Sequence, residues 1–168
     1  MIEKQNTLTA GIGIDITNNV ISSTSSSSFV GFRAVTAQGA DINVAINTVI
    51  PFNSVSVNTF AYDTENMFDT TASSYTIPTG YSGYWDFNMN LFIAEYAETF
   101  RRVHLRLTRG ATSFDPLQVE NYYTQIDSLS GTIPVLEGDI IRLSFSNGGT
   151  IRIFANQFTC WFEGRYIG

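Results

Sequence analysis

The chain has 168 residues, 43% of them hydrophobic and 14% aromatic. It is long enough to bury the core of one domain and too apolar to be disordered. Its formal charge of −6 excludes a general phosphate-binding surface, and with it a nucleic-acid partner, because such a surface needs an excess of Lys and Arg.

In chain order, "MIEKQNTLTAG" carries one lysine but no apolar segment behind it, so no signal peptide is expected. No later apolar run approaches the roughly 20 residues of a membrane span, and no Asn-x-Ser/Thr sequon occurs. The expectation is synthesis and folding in a reducing compartment, or at least no export by the classical route. "LTAGIGIDITNNVIS" alternates apolar with polar residues. Ile12, Ile14 and Ile16 point one way, Asn18-Asn19 makes a turn, and Val20 and Ile21 return. Residues 22–28, almost all serine, have few apolar atoms to bury and are expected to be a tether.

Strands are expected over residues 32–36, 48–52, 56–62 and 75–77. "YWDFNMNLFI" sets Trp85, Phe87, Met89, Leu91 and Ile93 against Asp86, Asn88 and Asn90. "RVHLRLT" sets Val103, Leu105 and Leu107 against Arg102, His104, Arg106 and Thr108. Both have the period of two of half-buried strands, and residues 94–100 connect them. "IIRLSFSNGGTIRIF" predicts a hairpin around Asn147-Gly148-Gly149, because those residues tolerate positive φ. In it Ile151 and Ile153 answer Ile141, Leu143 and Phe145. The last strand, in "FTCWFEGRYIG", puts Phe158, Cys160 and Phe162 on one face. The lone cysteine, Cys160, excludes an internal disulfide and reads as a small core residue. Short strands punctuated by Gly, Pro and Asn define an all-β antiparallel sandwich.

Five segments, in order, carry a resemblance: "IPFNSVSVN", "YDTENMF", "YTIPTGYSGYWDF", "VLEGDIIRLSF" and "CWFEGRYIG". Residues 29–168 resemble the globular head of the complement recognition component, in the tumour necrosis factor superfamily of jelly rolls. Pro78 and Gly80 stand in the central stretch, with an insertion so that Gly83-Tyr84 leads into Trp85 and Phe87. Gly138-Asp139 and Phe162 to Gly164 occupy the later positions. The resemblance implies a two-sheet jelly roll that assembles as a homotrimer, with exposed aromatics around the threefold axis. Tyr84, Phe92 and Tyr166 are the candidates, as aromatics on the polar side of their strands. The opening stretch resembles a shaft repeat of viral and phage fibres, in which Ile12, Ile14 and Ile16 of three chains would pack together. The expected division is an anchor and shaft over 1–21, a tether over 22–28 and a head over 29–168.

Catalytic chemistry is not expected. A Ser-His-Asp triad would have to use His104, the only histidine, whose charged form Arg102 and Arg106 disfavour. Glu95 and Glu98 lack the apolar surround that raises a glycosidase acid's pKa. "GIGID" occurs once, whereas calcium-binding glycine repeats work as stacked copies. Asp63, Glu65 and Asp69 form a weak candidate Ca²⁺ site; no other cofactor is expected. Arg102, His104 and Arg106 are candidates for surface binding.

These readings point to a trimeric virion fibre or spike head, made in the host cytoplasm and displayed on the particle. Residues 1–6 would dock onto other virion proteins, and the head would bind a host-surface glycan or protein receptor. The alternatives are a capsid decoration protein without receptor binding and a non-viral soluble recognition module.

Overall fold

The structure, a computed structural model, describes residues 14–17, 20–23, 29–37, 39–55, 61–94, 100–121, 126–146, 149–156 and 158–168. Among these there are fifteen strands and no helix. The first eight are short: β1 (Ile14–Thr17), β2 (Val20–Ser23), β3 (Gly31–Val35), β4 (Ile42–Val44), β5 (Thr48–Val49), β6 (Tyr62–Asp63), β7 (Phe68–Asp69) and β8 (Ser74–Thr76). Four long ones follow: β9 (Gly83–Phe92), β10 (Arg101–Arg109), β11 (Thr112–Asn121) and β12 (Ile126–Val135). The last are β13 (Ile140–Ser146), β14 (Ile151–Ile153) and β15 (Trp161–Tyr166).

One sheet runs β12-β9-β15-β3-β6 and the other β11-β10-β13-β8-β7, with β5 sharing the β8 edge of β13; all pairings are antiparallel. The period-two pattern decides which side chains fill the space between. Trp85, Phe87, Met89, Leu91 and Ile93 project from one sheet, and Val103, Leu105, Leu107, Ile141, Leu143 and Phe145 from the other, all buried. Each such side chain contributes about 1.5–3 kcal/mol on leaving water. Aromatic rings join the layers: Phe32 of β3 stacks on Tyr75 of β8 at 4.2 Å and meets Phe162 edge-on at 5.0 Å. Gly164 lies in register with Phe32 on one side and Phe87 on the other, and its missing side chain is what makes room for both rings.

An ion pair also spans the sandwich. Arg101 of β10 faces inward and donates to Asp127 of β12 from Nε at 2.8 Å and Nη2 at 3.1 Å, with both side chains 1% exposed. Asn121 donates to the same carboxylate at 2.6 Å. Buried charges persist only when paired and hydrogen-bonded in this way.

Two turns close one end of the sheets. Asp139 N–H donates to Leu136 C=O at 3.0 Å across Gly138, whose φ of 80° suits the third position of a type II turn. Tyr81 N–H donates to Pro78 C=O at 3.2 Å across Gly80, with φ of 85°. Gly80 N–H reaches Glu137 and Glu137 N–H reaches Ser82, so the turns hold each other.

Several expectations need correction. β14 does not fold back on β13: it pairs with β4, and an Ile93–Ile153 bridge extends β9 towards it. The reason is that both edges of β13 are taken, one by β10 and the other by β8 and β5. Asn147 and Gly148 lie outside the described residues. Phe158 is not in the core; it is 55% exposed, in a turn where its N–H donates to Asn156 Oδ1 at 2.8 Å, while Cys160 and Phe162 are buried as expected. The strand expected at 48–52 is shorter, because Pro51 has no N–H for the ladder, though Ile50 N–H still donates to Leu143 C=O. β11 and β12 were not anticipated. At the N-terminus β1 and β2 pair antiparallel, Ile16 opposite Ile21; Asn18 and Asn19, expected to form the turn between them, lie outside the described residues. The strand continues through Ser22 and Ser23, so the serine segment does not begin where β2 ends its apolar residues. Ile12 and residues 24–28 lie outside the described residues, as do 56–60 and 95–99.

Candidate functional site: a polar groove over His104

The outer face of the β10–β13 sheet is polar for the same reason its inner face is apolar. Alternation along β10 sends Arg102, His104 and Arg106 outward. Register places Gln118 of β11 on one side of His104 and Ser144 of β13 on the other. A bulge then shifts the β10–β11 register between Leu105 and Leu107. Bulges re-aim side chains, and this one brings Asp115 to Arg106. Asn47, in a left-handed turn with φ of 62°, completes the wall and is fixed by its N–H to Phe145 C=O at 2.8 Å. The result is a groove of about 170 Å³ lined by Asn47, Arg102, His104, Arg106, Asp115, Gln118, Ser144 and Ser146.

Hydrogen bonds order this set. Arg106 grips Asp115 with two of them, Nε to Oδ1 at 3.0 Å and Nη2 to Oδ2 at 3.1 Å. Arg102 pairs with Glu120 and lies over the Phe100 ring, 5.8 Å from its centroid. His104 is only 4% exposed, with Nε2 3.3 Å from Arg106 Nη2 and Nδ1 3.4 Å from Ser146 Oγ. A guanidinium only donates, so Nε2 must accept and the proton sits on Nδ1, pointing to Ser146. Burial pushes the imidazole pKa below its ordinary value; Asp115 opposes this, and Arg106 and Arg102 reinforce it. The hydrogen bond to Arg106 holds the Asp115 carboxyl below the usual carboxylate range. The floor of the groove is therefore a neutral imidazole between charge pairs.

The structure thus unites the three residues expected to form a binding surface, although His104 is covered rather than surface-exposed. Asn47, Asp115, Gln118, Ser144 and Ser146 were missed. Ser144 and Ser146 were legible as the polar alternates of Leu143 and Phe145; Asp115 and Gln118 required β11.

The other expected sites disperse. Tyr84 is 57% exposed on the outer face of β9. It lies beside Pro134 of β12 in register and next to the exposed Ile167, whose N–H donates to Tyr84 C=O. An apolar hollow lined by Leu107, Arg109, Phe114, Pro116, Ile133 and Pro134 adjoins this patch through Pro134. Phe92 is partly buried and meets Phe154 edge-on at 5.8 Å. Tyr166 is partly buried against Tyr81 at 5.3 Å and Trp85 at 5.8 Å. Both are thus packed within their own chain. Ile14 and Ile16 lie in β1. Asp63, Glu65 and Asp69 do not form a metal site: Asp63 accepts from the N–H groups of Glu65 and Phe68, and Asp69 from those of Thr71 and Ala72. These carboxylates shape turns, and among the described residues no three His, Cys, Asp or Glu side chains are grouped to hold a metal ion.

No protein-family model and no curated protein matches the chain. Solved structures do. The Eiger TNF from S. frugiperda superposes with a TM-score of 0.67 at 9% identity, over 83% of this chain and 93% of that one. The globular domain of the zebrafish Complement 1qA protein superposes with a TM-score of 0.57 at 14% identity, over 84% and 98%. The fold is the two-sheet jelly roll of tumour necrosis factor-like and complement-head-like proteins, as the sequence resemblance implied.

Proposed function

We propose that this chain forms the head of a homotrimeric virion fibre or spike, which recognises a host-surface receptor by binding rather than catalysis. The likeness to the Eiger TNF and Complement 1qA globular folds carries this reading, because jelly rolls of that superfamily assemble as trimers around exposed aromatics. Tyr84, Pro134 and Ile167 supply such a surface at one end of the β9 sheet. The polar groove over His104 lies on the other sheet, leaving it open in a trimer built through the first. A virion setting is supported by the shaft-like Gly-x-Gly stretch leading into the β1–β2 hairpin. It is supported too by a head with a buried, free Cys160 and no sequon.

The test has three parts. Light scattering should return three times the 18.6 kDa chain mass. Labelled protein should bind a defined set of glycans or host cells without releasing new reducing ends from surface polysaccharide. Antibody to the chain should decorate intact virions from the native source. A monomer, saccharide cleavage, or no decoration would each overturn the corresponding part.

A further inference from the structure

Resting on the reading of the head as a recognition surface, the groove over His104 points to a ligand class. Its charges cancel in pairs, Arg106 with Asp115 and Arg102 with Glu120. Each guanidinium charge is already compensated by a carboxylate, so an anionic ligand gains less there than at an unpaired arginine. What remains of the lining is neutral: the amides of Asn47 and Gln118 and the hydroxyls of Ser144 and Ser146, groups that both donate and accept; Arg142, across from Arg106 on β13, lies outside the lining and donates to Thr108 Oγ1. A ligand bearing several hydroxyls has the same mixed character. The volume of about 170 Å³ is below the roughly 300 Å³ at which drug-sized sites begin. A groove of this size suits a single sugar ring among its lining groups better than a larger ligand.

We propose that this groove binds a single neutral sugar residue, and does so only while the His104 imidazole is uncharged. The geometry requires the second clause. Arg106 Nη2 faces His104 Nε2 at 3.3 Å, and a proton on Nε2 would set two donors against each other. Arg106 must then turn away, taking part of the groove wall with it. The charged neighbours do not relieve this. Arg102 and Arg106 flank His104 on β10; β11 contributes Asp115 and Glu120, each already held by one of those arginines. β13 adds Arg142 across from Arg106, and the β5 segment with Asn47 adds no charge. Burial, with the two β10 arginines and against Asp115, keeps the imidazole neutral in the free protein. Affinity is then flat above about pH 6.5 and falls by up to about tenfold per pH unit once the medium is more acid than the His104 pKa.

His104 is the only histidine, so one imidazole NMR signal reports the groove directly. The probes are methyl β-galactoside, methyl α-mannoside and N-acetylglucosamine, against glucuronate and N-acetylneuraminate as acidic counterparts. At least one neutral probe is expected to shift the signal saturably at about pH 7.5 and to bind progressively more weakly over the pH range in which that same signal shows the imidazole taking up a proton. Gln118→Ala should abolish the shift while the rest of the spectrum is unchanged. His104→Gln, which keeps an acceptor but cannot titrate, should retain binding by calorimetry and lose its pH dependence. The proposal is overturned if no neutral probe binds, if an acidic probe binds as tightly, or if binding is undiminished where the signal shows the imidazole charged. The two readings fail separately. Sugar bound in the groove with no capture of the head by glycan arrays or cells leaves this inference standing and removes the receptor. Capture unaffected by Gln118→Ala does the reverse.

Discussion

A Cβ at Gly164 would lie 2.6 Å from Phe32 Cε1 and 2.7 Å from Phe87 Cε1, closer than carbon atoms approach. Both rings belong to the core and have neighbours of their own, so neither can withdraw freely. Gly164→Ala is therefore expected to destabilise the head by about 1–3 kcal/mol through overpacking, read by urea denaturation at fixed protein concentration; an unchanged midpoint would show that the rings can shift. Tyr75 offers the opposite case. Its ring is fully buried and stacked on Phe32, while its hydroxyl has no hydrogen-bond partner among the described residues. Burial, with the charges of Asp63 and Glu65, pushes its pKa far up. Tyr75→Phe keeps the stack and removes the stranded hydroxyl. Stability should stay level or rise by up to about 1 kcal/mol, because a buried polar group without a partner costs more than its removal. A loss of that size would mean the hydroxyl is bonded after all.

At the level of elements, the turn from Leu136 to Asp139 fixes the start of β13, and a buried carboxylate fixes the turn. Asp139 accepts from Leu136 N–H at 2.8 Å and from Arg109 at 2.9 and 2.6 Å. Burial works to raise its pKa, but Arg109 and the Leu136 N–H lower it by more, and the net shift is downward. The folded pKa is thus below the unfolded value of about 3.9. The resulting stability is complete above that value and drains away as pH falls through the folded pKa. Asp139→Asn should lower stability at neutral pH and flatten the acid limb of the stability curve; superimposable curves for the two proteins would refute this. The Gly138-Asp139 turn was legible because turn chemistry is local. So were β9, β10 and β13, whose buried and exposed faces alternate cleanly. β11 was not, because it is an edge strand that sends Thr112, Ser113, Phe114, Asp115 and Pro116 all to solvent. β12 hid its pattern behind an inward Asp127, apolar neither by composition nor by reason until Arg101 is seen across the sandwich. The mistaken β13–β14 hairpin has the same root: Asn-Gly-Gly advertises a turn, but whether the following strand finds a free edge depends on residues far away in sequence. Two of the groove's lining residues, Asp115 and Gln118, were lost with β11.

For the whole molecule, the question is which surface a second and third copy would cover. The outer face of the β9 sheet is mostly polar, with Arg33–Glu163 and Arg165–Asp86 ion pairs and an Asp86–Thr132 hydrogen bond. Its apolar end is where Tyr84, Pro134 and Ile167 meet, next to the hollow formed by Phe114, Pro116 and Ile133. An obligate interface buries on the order of 2,000 Å² or more and is apolar at its centre, and this end meets the second condition. Of the three aromatics expected at the axis, only Tyr84 can test it cleanly. Tyr166 rests on Tyr81 and Trp85, so a charge there would damage the protomer itself, and Phe92 is held by Phe154. Tyr84→Glu places a charge on an exposed side chain that makes no ring contact among the described residues. In a trimer it would bring three such charges into one apolar interface, which cannot pair them. The variant is expected to give one chain mass by light scattering at micromolar concentration, with β-sheet circular dichroism and the His104 NMR signal unchanged, because the groove lies on the opposite sheet. A Tyr84→Glu protein that remains trimeric would move the axis away from this end of the β9 sheet. A wild-type chain that is already monomeric would remove the axis altogether and leave the groove as a site on a single copy.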